Sequence, residues 1–152
     1  MTNAVIEVEI EDPAWSAALP DAERLAVAAA AAALDREGAV VVLLTDDGTL
    51  CDLNSRFRGK DKPTNVLSFP APENPERHLG DIALAYGVCA SEADEQGKTL
   101  ADHLQHLVAH GVLHLTGFDH ETDAEAEAME ARERVILASL GVSDPYAAER
   151  GG

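Results

Sequence analysis

Six consecutive apolar residues, Ala39-Val40-Val41-Val42-Leu43-Leu44, carry no polar alternation. A short run rich in β-branched side chains reads as a strand, and a strand without a polar side is one covered on both faces. The chain is thereby committed to a layered α/β arrangement with this segment inside a sheet. Its neighbours supply the rest. Val5-Ile6-Glu7-Val8-Glu9-Ile10 alternates, with Ile6, Val8 and Ile10 on one side, and reads as a half-buried strand near a sheet edge. Asp21 caps a helix that runs through Leu25 and the alanine tract at 28–33, and Gly38 supplies its stop. Asp46-Asp47-Gly48 turns the chain into a short helix over about 49–56. Residues 64–69, ended by Pro70, and residues 80–85 read as two more strands, joined by an exposed connection holding three prolines. The pattern then becomes helical. Thr99 and Thr122 each open a capping-box signature, the first before a helix reaching Leu115 or Thr116, the second before the last long helix. The expectation is one α/β domain over residues 1–152, with a small four-stranded mixed sheet packed with about five helices, strands early and helices late.

A length of 152 residues suits one such domain. No apolar run approaches the roughly 20 residues of a membrane-spanning helix, and the opening Met1-Thr2-Asn3-Ala4 shows no secretory pattern. A cytoplasmic protein without membrane contact is expected. Cys51 and Cys89 form no C-x-x-C pair, so a thiolate metal knuckle is excluded and both read as small buried side chains. The net charge of −17 argues against a general coating of nucleic acid. Four of the 11 cations nevertheless crowd into Arg56-Phe57-Arg58-Gly59-Lys60-Asp61-Lys62. That stretch is either a solvated loop or a local anion site. With aromatics at only 4%, a stacking platform like that of sequence-reading RNA domains is not expected.

Five of the six histidines lie between positions 103 and 120. His110 and His114 are four apart, so on a helix both imidazoles stand on one side, one turn apart, within reach of a single ion. Gly117 can end that helix with a positive φ and let the chain double back, bringing His120 to the same point. Three imidazoles suit one zinc ion, with the fourth position open for water whose pKa falls to roughly 7. His103 and His106 extend the stripe and either line the pocket and brace the ligands or are plain boundary residues.

The spacing H-x-x-x-H-x-x-G-x-x-H is that of the metzincin peptidases, which carry Glu directly after the first histidine. Here that position is Gly111, and peptide hydrolysis loses its proton shuttle. Phosphodiester cleavage asks for something else, namely stabilisation of negative charge on nonbridging oxygens, which an ion and an arginine fork supply. Either the RNA 2′-hydroxyl or an activated water can then attack, and the residues do not choose between them.

The strings Phe57-Arg58-Gly59-Lys60-Asp61-Lys62-Pro63-Thr64-Asn65-Val66-Leu67-Ser68-Phe69-Pro70, Leu79-Gly80-Asp81-Ile82, His110-Gly111-Val112-Leu113-His114-Leu115-Thr116-Gly117-Phe118-Asp119-His120 and Ser143-Asp144-Pro145-Tyr146 closely resemble the bacterial YbeY endoribonucleases. The resemblance covers the chain from about Val40 onward, with the motifs in the right order. It implies a zincin-like fold with the metal site at the end of a central helix, and one zinc ion per chain on His110, His114 and His120. Arg58 matches the arginine that acts in catalysis. The implied activity is a zinc-dependent, single-strand-specific endoribonuclease in ribosomal RNA maturation, at the small-subunit RNA 3′ end, and in ribosome quality control. Its implied partners are the small ribosomal subunit and a ribosomal protein or assembly GTPase.

Weaker expectations attach to other residues. Asp81 either orients a ligand histidine or caps a turn. Asn65 and Ser68 line the cleft, and Asp119 braces its loop. Two competing functions stay open at this point. One is a metzincin-like metallopeptidase with an atypical base, and the other a ribosome-associated binding protein whose zinc is structural.

Overall fold

The computed structural model describes residues 4–60, 64–119 and 121–145. Four strands, β1 (Ala4–Ile10), β2 (Gly38–Thr45), β3 (Val66–Pro70) and β4 (His78–Ala85), form one sheet in the order β1-β2-β4-β3. β2 runs parallel to β1, with Ile6 opposite Val40, and parallel to β4, with Val42 opposite Ile82. β3 is antiparallel to β4, with Ser68 opposite Ile82, and forms one edge. The sheet is therefore mixed, and the apolar run at 39–44 is an inner strand, as its composition requires.

Six helices are present among the described residues: α1 (Pro13–Ala18), α2 (Ala22–Ala33), α3 (Asp47–Arg58), α4 (Tyr86–Glu95), α5 (Leu100–Leu115) and α6 (Asp123–Ser139). The one that composition does not announce is α1, a six-residue turn with Asp12 as its cap, too short to show a period. On one face of the sheet, Val40, Val42, Leu44, Ile82 and Leu84 merge into the main core with α2 and α5. α2 meets that core through Ala22, Ala26, Ala29, Ala30 and Ala33, a stripe at helical spacing whose small side chains allow close approach. The opposite face is covered more thinly, by Leu50 of α3 over Leu67, Ala83 and Ala85.

Several boundaries differ from those read off the sequence. α2 ends at Ala33, with Leu34 as its C-cap, well before Gly38, which instead starts β2. Asp46-Asp47-Gly48 is not a free turn: Asp46 caps α3, its side chain accepting from the Thr49 amide, and that bond holds its carboxyl below the usual range. Thr122 and Glu125 form the full reciprocal box at α6, whereas at α5 Thr99 accepts from the Asp102 amide alone. Among the described residues no helix is long and apolar enough to cross a membrane.

Candidate functional site

A cleft of about 770 Å³ opens between the C-terminal end of α3, the edge strand β3 and the C-terminal half of α5. Its lining includes Arg58, Lys60, Asn65, Ser68, His110, His114 and Asp119. The helix geometry that puts His110 and His114 on one side thus also aims them into this space. Their Nε2 atoms face each other at 3.1 Å.

The other nitrogen of each ring defines what that contact means. His114 Nδ1 lies 3.1 Å from the Phe118 carbonyl oxygen, which can only accept, so Nδ1 carries the hydrogen. His110 Nδ1 lies 2.5 Å from Oε1 of Glu133 on α6. With a hydrogen at each Nδ1, two Nε2 lone pairs would be turned toward each other. Such an arrangement is repulsive by itself and becomes attractive around a small cation. The donor set fits an ion that takes imidazole nitrogen, zinc among them. Among the described residues no group of three or more His, Cys, Asp or Glu comes together to hold a metal, and His120, the expected third ligand, lies outside the described residues.

Glu133 is the residue behind the histidines that motif reading misses. Its carboxylate is fully buried, with Oε1 against His110 and Oε2 at 3.7 Å from His106 Nε2. The signal was present but faint: Met129, Glu133, Ile136 and Leu137 share one buried stripe of α6, and an acidic residue on such a stripe needs a partner.

Gly111 follows from packing. A Cβ there would stand 2.9 Å from Ile82 Cγ2, so α5 rests directly on β4 and the position has no room for the glutamate of a metzincin. Gly117, at φ 105°, is the positive-φ residue that releases the chain after α5, as expected.

Arg58 sits at the last turn of α3, where its Nη2 donates to the Ser68 carbonyl at 3.1 Å. That bond hangs the guanidinium on the cleft rim, and its remaining donors are suited to an oxyanion. Ser68 in turn reaches the Gly111 carbonyl through Oγ at 3.4 Å, tying the edge strand to α5. Asn65 lines the cleft and donates through Nδ2 to Glu92 at 2.9 Å. Lys62 and Asp61 fall outside the described residues.

Three expectations change. Asp81 meets His78 Nε2 at 2.9 Å on the exposed surface rather than His110 or His114. His103 does not line the cleft: it is buried against Glu92 at 2.9 Å, and burial pushes its pKa below the ordinary value. Cys51 is only half-buried, whereas Cys89 is buried and its thiol is pushed far up by desolvation.

Known proteins give this cleft its class. The family model described as "Endoribonuclease YbeY" matches residues 5–141. The endoribonuclease YbeY of Azorhizobium caulinodans is 56% identical over 153 residues, covering 93% of this chain and 96% of that protein. That of Maricaulis maris is 53% identical over 155 residues, covering 99% and 96%. The solution structure of TM1509 from Thermotoga maritima superposes with a TM-score of 0.57 at 26% identity, covering 90% of this chain and 91% of that one. The class is that of the endoribonucleases, hydrolases that cut RNA internally. Within it, the chain belongs to the YbeY family.

Proposed function

We propose that the chain is a zinc-dependent endoribonuclease that hydrolyses single-stranded RNA, with the ion held by His110, His114 and His120 and the scissile phosphate gripped by Arg58. The substrate is ribosomal RNA, at the 3′ end of the small-subunit RNA, and the enzyme works in the cytoplasm on the small ribosomal subunit with a ribosomal protein or assembly GTPase. The observation that supports the reading best is the facing Nε2 pair with both Nδ1 positions engaged, opening on the same cleft as Arg58.

Each residue has a part. His110 and His114 present ring nitrogens whose tautomers are set by Glu133 and the Phe118 carbonyl. When bound, the ion supplies Lewis-acid stabilisation of phosphate charge and makes water more acidic. Arg58 draws a nonbridging phosphate oxygen to the rim and stabilises the charge that gathers there as the P–O bond breaks. The acidic surface repels duplex and bulk RNA alike, so binding is confined to the wall formed by Arg58 and Lys60.

The test is cleavage of a labelled single-stranded RNA by the zinc-loaded protein. Arg58→Ala is expected to lower kcat about 10²- to 10³-fold with bound zinc unchanged. Normal cutting by that variant would remove the phosphate role.

A further inference from the structure

Adjacent residues at the end of α3 grip adjacent residues of the edge strand. Arg58 bonds the Ser68 carbonyl, and Phe57 packs on Phe69 with ring centroids 5.5 Å apart and planes at 67°. Side chains alternate along a strand. Ser68 therefore turns toward α5, where its Oγ meets Gly111, while Phe69 turns to the α3 side and joins Leu50 and Leu67. The Phe57 ring thus stands just across β3 from the histidines.

Phe57 is 66% exposed, the most open of the large apolar side chains among the described residues. A lone exposed phenylalanine carries no meaning by itself. This one differs in its setting. The edge-to-face contact with Phe69 engages only part of the ring and leaves at least one π-face open, held in place by its partner. Arg56, Arg58 and Lys60 lie within three residues of it, on a chain whose net charge is −17. Arg58 and Lys60 also line the cleft. Arg56 is paired with Asp52, which leaves Arg58 and Lys60 as the cations nearest in sequence that face the cleft. An open ring combined with cations is the pairing with which proteins hold unstacked bases of a single strand, the ring taking the base and the cations the backbone.

We infer that Phe57, steadied by Phe69, is a stacking subsite for a nucleobase flanking the phosphate held at Arg58. The inference rests on the RNA-cleaving reading and deepens it. A base paired inside a duplex has both faces covered by its neighbours, so a subsite of this kind favours single strands without reading sequence.

Phe57→Trp provides the probe. The native tryptophan, Trp15, is fully buried and gives a constant background, so an exposed indole at 57 reports separately. Titration with a short single-stranded RNA is expected to quench that emission saturably, and the same RNA with an abasic nucleotide next to the scissile linkage is expected to bind about five- to a hundredfold more weakly. In Phe57→Leu, which keeps an apolar side chain but loses the ring, KM should rise by a similar factor with kcat within twofold and the melting temperature unchanged. Its affinity should also no longer depend on whether the base is present. Cleavage by Phe57→Leu with unaltered KM, or equal quenching by intact and abasic RNA, overturns the subsite while leaving the nuclease reading intact. Base-dependent quenching without any cleavage by the zinc-loaded wild type supports the subsite and overturns the nuclease reading. An indole silent to RNA, together with self-association of the wild type that Phe57→Leu abolishes in sedimentation, assigns the face to a second copy of the chain and overturns the inference.

Discussion

Helix α5 carries two imidazole–carboxylate pairs that are close to mirror images in burial. In its N-terminal half, His103 is 3% exposed and meets a Glu92 carboxylate that is 30% exposed. In its C-terminal half, the Glu133 carboxylate is 0% exposed and meets a His110 ring that is 23% exposed. The contacts are chemically alike, but the orientation decides the use. Where the ring is inside and the carboxylate outside, the pair joins α4 to α5 and, through Asn65, to the start of β3. Where the carboxylate is inside, the ring is held from behind and faces the cleft. A histidine becomes available for chemistry when its partner is the buried one.

The largest expected effect separates the two halves outright. His114→Ala should abolish stoichiometric zinc binding and RNA cleavage together, whereas His103→Gln should retain zinc. Metal analysis after dialysis checks both, and loss of zinc from the His103 variant would erase the distinction.

Replacing each carboxylate by its amide sharpens the contrast. Glu133→Gln keeps shape but weakens the hold on His110, and zinc affinity is expected to fall about 10- to 100-fold. Glu92→Gln should change it less than twofold. Competition with a chromophoric chelator measures both, and equal losses would show that burial of the carboxylate is not what matters.

Much of this was legible in advance, for reasons that differ from residue to residue. The inner strand β2 and the His110–His114 pairing follow from backbone periodicity, which a linear string displays directly. The basic stretch from Arg56 to Lys62 stood out because cations are scarce in this chain, and the family resemblance singled out Arg58 within it. Glu133 did not, because its meaning depends on α6 packing against α5, a contact between residues 23 apart in sequence. Asp81 misled because three residues earlier lies His78, which it meets in place of His110 or His114. The stop assigned to Gly38 failed because that glycine is taken up by β2.

The smallest expected effect is on stability. Burial lowers the His103 pKa, against the pull of Glu92, so the folded chain holds that proton less tightly than the unfolded chain does. The unfolded state takes up the proton first as the solution is acidified. The stability of this region is therefore complete above the unfolded pKa of about 6.5 and declines as the pH falls through it. Melts of chelated protein between roughly pH 8 and pH 5 should show a shallower decline in His103→Gln than in the wild type. Parallel curves would mean that the inner ring contributes nothing to acid sensitivity.

The alanine stripe of α2 has a consequence far from where it lies. Methyl groups at 22, 26, 29, 30 and 33 act as a thin shim in the core that α2 shares with the histidine-bearing helix. Thickening it, as with Ala29→Leu, would force α2 and α5 apart in that shared core and shift the imidazoles relative to the guanidinium without touching either. The placing of the histidines in the cleft thus depends on the least reactive side chains in the molecule.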